Sequence, residues 1–141
     1  MTALDEERWR RFVLDYNIDV PQSVIENELA LIKLDLRHRM QYDRLSGGDS
    51  HLYAARELES QETELLEAAT FEAKEPRVLR DLIDRLGIEV SQKELEEEAL
   101  ALAKREGTSL DAVKAFFGDD LAMLERDVRE QKARDWALSN S

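Results

Sequence analysis

The chain contains no cysteine. That removes disulfide frameworks, thiolate zinc sites and thiol nucleophiles in one step, and it suits a reducing compartment. Glycine and proline are scarce, five and two among 141 residues, so few positions punctuate regular structure. Aromatic residues make up 6%. Cations are the minority sign: 20 Lys and Arg against 32 acids give a formal charge of −12. This argues against nucleic acid as a partner, because phosphates need a basic face. It argues equally against an anionic membrane surface. No apolar run approaches the ~20 residues that span a bilayer, and the opening MTALDEERWRRF lacks the apolar core of a signal peptide. The expectation is a soluble, cytoplasmic protein that resists self-association while exposing some apolar surface.

What the chain does have is a phrase that occurs twice. Ile18-Asp19-Val20-Pro21-Gln22-Ser23-Val24-Ile25-Glu26-Asn27-Glu28 returns seventy residues later as Ile88-Glu89-Val90-Ser91-Gln92-Lys93-Glu94-Leu95-Glu96-Glu97-Glu98. Both copies run from a short extended I-x-V, through a helix-starting Pro or Ser, into an acidic amphipathic helix. Two similar helical units in series are the expected architecture. Val20, Ile25, Val90 and Leu95 hold matching places beside the two helix starts and are expected to bury there.

The apolar spacing between these phrases is helical throughout. A first helix is predicted over 4–17, with Trp9, Phe12, Val13 and Tyr16 on one face. After Pro21 the stripe Ile25, Leu29, Ile32, Leu36 and Met40 runs to about Leu45. Ser46-Gly47-Gly48-Asp49-Ser50 reads as a tight turn. The return carries Leu58, Leu65, Leu66 and Ala69, then Val78, Leu79, Leu82 and Ile83, up to a C-cap at Gly87. Pro76 falls inside it, which predicts a kink or break near Lys74-Glu75. In the second unit Ser91 and Glu94 form a capping-box pattern. Leu95, Ala99, Leu102 and Ala103 line the helix that follows, and Gly107 ends it. Thr108 or Ser109 caps a short helix, Gly118-Asp119-Asp120 interrupts, and a last helix reaches about Leu138. The fold class is therefore all-α: two long helical hairpin arms, 21–87 and 91–138, on a small helical body. The whole of 1–141 is read as one domain.

Catalytic and metal chemistry find no foothold in this pattern. Asp35 and His38 form a single D-x-x-H, whereas a carboxylate-bridged di-iron centre needs two such pairs plus two more acids. Glu96-Glu97-Glu98 points in different directions around a helix and reads as solvated charge near a helix N-terminus. No phosphate-binding loop, H-E-x-x-H or G-x-S-x-G is present. The chain is read as a non-enzyme with no cofactor and no metal. Candidate polypeptide-binding residues are instead apolar groups near the two hairpin tips, where few partners can bury them. They are Tyr42, Leu45, Leu52 and Tyr53 at the first tip, and Phe116, Phe117 and Met123 at the second. Paired Phe with Met suits an adaptable surface.

The order of elements resembles the C-terminal domain of trigger factor, the ribosome-associated bacterial chaperone. The carriers are the 18–28 phrase, similar to the family's V-P-x-x-[LIV]-[IV]-x-x-E, then Gly47-Gly48 and the returning Val78, Leu82 and Ile83. Ile88-Glu89-Val90-Ser91 follows, and after it Ala112-Val113-Lys114-Ala115-Phe116-Phe117 and Leu121-Ala122-Met123-Leu124. They span about residues 5–138. The family's Gly-Phe-Arg-type docking loop and its peptidyl-prolyl isomerase domain have no counterpart, so a fragment or a stand-alone homologue of the chaperone domain is expected. Any ribosome contact would run through those other domains. The resemblance implies an ATP-independent domain that holds unfolded or nascent polypeptides in a two-armed cleft and prevents their aggregation. The alternative is a helical adaptor for one specific partner, as a monomer or a homodimer.

Overall fold

A computed structural model of the protein describes residues 2–45 and 61–140, apart from the side chains of Met40 and of residues 42–45. Among the described residues six helices follow in order: α1 (Ala3–Asp15), α2 (Gln22–Leu45), α3 (Glu62–Leu86), α4 (Gln92–Glu106), α5 (Leu110–Phe117) and α6 (Ala122–Ser139). Among the described residues there is no strand, and both I-x-V phrases are irregular. The all-α class holds. The chain divides into two compact units, Arg10–Val78 and Met1–Trp9 with Leu79–Ser141.

In the unit Arg10–Val78, the buried residues Leu65, Ala69, Ala73 and Val78 of α3 recur at helical spacing. Val13 of α1 is fully buried. Phe12 and Tyr16 are half-buried, with ring centroids 5.7 Å apart. Lys33 on α2 pairs with Glu62 on α3 at 2.9 Å, and Arg10 lies 5.7 Å from the ring centre of Phe71. The notable buried polar group is Lys74, 8% exposed. Its Nζ donates to the carbonyls of Leu14 and Tyr16 at 2.7 and 2.8 Å. α1 has no basic residue in its own last turn, so a lysine from α3 satisfies its orphan carbonyls and sits at the negative end of its dipole.

Pro76 does not break α3, which is continuous from Glu62 to Leu86; of the kink or break that its position suggests, the break does not occur. The proline removes one donor, leaving the carbonyl of Glu72 without its intrahelical partner. Glu72 and Pro76 are both exposed, so water can serve that group, while buried Ala69, Ala73, Val78 and Leu79 hold the helix on its other side.

The second unit is built on Leu95, Ala99 and Ala103 of α4, Val113 of α5, and Leu121 and Leu124, which are all buried together. Ser91 and Glu94 form the capping box on α4. Gly87 and Gly107 both take φ near +60°, where an L side chain would be strained. Each is followed by a residue whose N–H reaches back five positions, Ile88 to Ile83 and Thr108 to Ala103, the Schellman closure. Ser109 caps α5 through the N–H of Ala112. At the far end of α6, again without a basic residue in its last turn, Arg8 donates to the carbonyl of Leu138 at 2.5 Å. Trp9 is buried, with Arg134 5.6 Å from its ring centre.

The repeated phrases are buried less evenly than their likeness suggests. Leu95 is buried, whereas Val20, Ile25 and Val90 are half-buried. Val90 leans on the α4–α6 core. The two copies share the backbone start of a helix, the Ile25 N–H donating to the Pro21 carbonyl and the Leu95 N–H to the Ser91 carbonyl, while the Ser91–Glu94 capping box belongs to the second.

Candidate functional site

Between α4 and α6 runs a groove of about 560 Å³. Its apolar floor comes from Leu102, Leu124 and Val128, with Phe117 supplied by α5. These side chains also pack on the buried core of the unit, so the floor is anchored. The rim is mostly acidic: Glu94, Glu97 and Glu98 on α4, Asp127 and Asp135 on α6. Helical spacing places them. Residues 94, 98 and 102 are one turn apart on α4, and 127, 131 and 135 one turn apart on α6.

Two cations reach the rim. Arg105 pairs with Glu98 at 3.5 Å. Lys132 pairs with Glu94 and donates to the carbonyl of Glu89 at 2.7 Å. It therefore ties α6 to the Ile88-Glu89-Val90 phrase. Glu94 also accepts from the Ser91 backbone N–H. Foremost the Lys132 hydrogen bond, and then the Ser91 backbone, hold the Glu94 carboxyl below the usual glutamate value, against a smaller opposing effect of desolvation. A depressed folded pKa gives stability that is present above the ordinary value and lost as pH falls through the folded one. Glu94→Gln should accordingly make the acid side of a melting-temperature profile shallower than in the parent, with little change in its shape at neutral pH. Identical acid limbs would show that this pair contributes nothing.

The candidate binding residues divide between described and undescribed parts of the chain. Phe116 is 74% exposed and Met123 66% exposed. Phe117 is half-buried and meets Phe116 edge-to-face, with centroids 4.8 Å apart. Leu52, Tyr53 and the side chains of Tyr42 and Leu45 lie outside the described residues, as does the Gly47-Gly48 turn. Sequence reasoning missed the groove. Its signal was available in the acids spaced at i, i+4 beside Leu102 and Val128, but the Glu96-Glu97-Glu98 run reads as plain solvated charge.

Asp35 pairs with Arg39 at 2.9 Å and His38 is exposed. Among the described residues no group of three or more His, Asp or Glu could hold a metal ion, and no helix is long and apolar enough to cross a membrane.

Comparison with known proteins adds the family. The model of the bacterial trigger factor protein (TF) C-terminus matches residues 2–139. The trigger factor of Syntrophomonas wolfei is 26% identical over 125 residues, which cover 89% of this chain and 28% of the relative. The trigger factors of Bacillus thuringiensis (strain Al Hakam) and Bacillus cereus (strain AH820) are each 24% identical over 124 residues, covering 88% of this chain and 29% of the relative. The chain thus spans under a third of the length of these relatives. No solved structure matches it. Because the family model matches nearly the whole of this sequence, the chain belongs to the bacterial trigger factor C-terminus family.

Proposed function

We propose that this chain is a cytoplasmic, ATP-independent chaperone-type domain that binds unfolded or nascent polypeptides through apolar surface and keeps them from aggregating. Family membership supports the chaperone-type role. The observation that carries the binding mode is the exposure of Phe116 and Met123, next in sequence to the groove residues Phe117 and Leu124. Leaving a large apolar side chain in water forgoes roughly 1.5–3 kcal/mol of burial energy, so a function explains their retention. A client that covers them gains about 25 cal/mol per Å². Many such weak contacts allow release without nucleotide energy. The residues near the first tip, Tyr42, Leu45, Leu52 and Tyr53, are proposed as client-binding residues as well, on sequence grounds. The finer element, two arms that hold the client in a cleft, is proposed too and follows from the repeated phrase. No catalytic step is part of the role.

Light scattering of a chemically denatured model protein tests this reading. A stoichiometric amount of the chain should suppress aggregation without ATP, and an equally acidic control protein should not. Absence of suppression at several-fold excess would refute the chaperone role. Saturable nanomolar binding to a single partner, with none to denatured proteins, would favour the adaptor instead.

A further inference from the structure

Resting on the chaperone reading and narrowing its ligand, we propose that the groove between α4 and α6 receives a cationic amphipathic helix of a client polypeptide. The first reason is charge. Of the rim acids, Glu94 and Glu98 are matched by Lys132 and Arg105. Among the described residues no cation pairs with Glu97, Asp127 or Asp135, and Asp135 accepts only from the neutral Gln131. The groove is therefore left with uncompensated negative charge around an apolar floor. The complementary surface is apolar in the middle and basic at the edges.

The second reason concerns the backbone of the guest. A segment laid over Leu102, Phe117 and Val128 loses water from its peptide groups. An extended segment would need a strand edge to satisfy them, and the described residues offer none. A helix satisfies its own backbone and presents only side chains. The groove's volume of about 560 Å³ is that of a small-molecule site. It fits a few anchoring side chains from one face of a helix lying along the groove between the two others.

Spacing supplies the register. Asp127 and Asp135 are eight residues apart on one face of α6, about 12 Å along its axis. A guest helix lying along α6 meets both with cations seven or eight residues apart, two turns of its own. Lys132, between the two acids in sequence, is already paired with Glu94 and bonded to the Glu89 carbonyl, so Asp127 and Asp135 set the charge that the guest meets there and repel acids at the same positions.

The test uses fluorescence anisotropy with the full chain and three labelled peptides of about 18 residues, long enough to form helix on contact. One carries Leu at i, i+3, i+4 and i+7 with Lys elsewhere. Its twin has Glu for Lys. A third has the Lys pattern with two central prolines. The Lys helix should bind at least tenfold tighter than either twin. Asp127→Asn with Asp135→Asn should weaken it about tenfold at unchanged melting temperature. The charge-matched Glu26→Gln with Glu64→Gln, in the other unit, should weaken it less than twofold. Equal binding of the Glu twin would overturn the charge argument. Equal binding of the proline peptide would make the guest an extended chain. Equal losses in the two double variants would reduce the effect to net charge. Any of these three results refutes the proposal. A protein that suppresses aggregation yet fails to discriminate the peptides keeps its chaperone role and loses only this ligand.

Discussion

Replacing Lys74 by Met should lower the melting temperature by roughly 6–12 °C. The change conserves most of the side-chain volume, so the packing penalty is small, under about 1.5 kcal/mol. What disappears is the ammonium that serves the carbonyls of Leu14 and Tyr16. Hydrogen bonds from a charged donor contribute about 1.5–3 kcal/mol each, and a cation at a partly buried helix C-terminus up to ~2 kcal/mol. Against this stands the desolvation of a lysine that is 8% exposed, which the mutation relieves. Two direct bonds and the α1 dipole outweigh it, leaving a net loss of about 2–3 kcal/mol. At this chain length each kcal/mol corresponds to roughly 3–4 °C. Thermal melts followed by circular dichroism measure it. A Lys74→Met protein as stable as the parent would mean that desolvation cancels the bonds.

The second large effect is expected at Leu121, and its sign is unusual. Leu121 is a non-glycine residue with positive φ, at 60°, yet it is completely buried. The left-handed conformation costs a branched residue about 1–2 kcal/mol. The turn fixes it: the Leu121 N–H donates to the Gly118 carbonyl, the Ala122 N–H to Asp120 Oδ1, and Gln92 to the Asp120 carbonyl. Burial of the side chain against the α4–α6 core offsets the strain. Leu121→Ala keeps the strain and removes the burial, so a loss of about 2–5 kcal/mol is expected. Leu121→Gly removes one carbon more but also the strain, and should be no less stable than Leu121→Ala. A glycine variant clearly less stable than the alanine variant would contradict the strained turn.

Much of this fold was legible in the sequence because its helices are punctuated by local chemistry. Ser91 with Glu94, Ser109, Gly87, Gly107 and the Gly118 interruption each act within a few residues of themselves, and each acts in the structure as its type suggests. The stripes of Trp9 and Val13, or of Leu95, Ala99 and Ala103, are likewise local periodicity. Interactions across the fold were not legible. Lys74, Lys132 and Arg8 each serve backbone carbonyls 43 to 130 residues away, and no window along the chain shows that pairing. The α1 and α6 C-termini lack basic residues of their own, so the need was visible but the supplier was not. Pro76 leaves a kink and a break both open in the sequence, and the break does not occur because the freed carbonyl can meet water while the opposite face is buried. Leu121 reads as the first apolar residue of the last helix, and its positive φ comes from a turn that the sequence names only through Gly118 and Asp120. Of the candidate site, Phe116, Phe117 and Met123 follow from composition beside a break. The groove that accompanies them depends on how α4 meets α6.

The central claim is that exposed apolar side chains, and not the packed interior, hold the client. Phe116→Ser with Met123→Ser examines it most directly, because both side chains are largely in solvent. Client affinity and melting temperature should be measured on the same preparation, with a fluorescently labelled, permanently unfolded protein as client. The account predicts a melting temperature within about 2 °C of the parent and roughly tenfold weaker client binding, about 1.4 kcal/mol. A large loss of stability with unchanged affinity per folded molecule would contradict it, by making these residues part of the core.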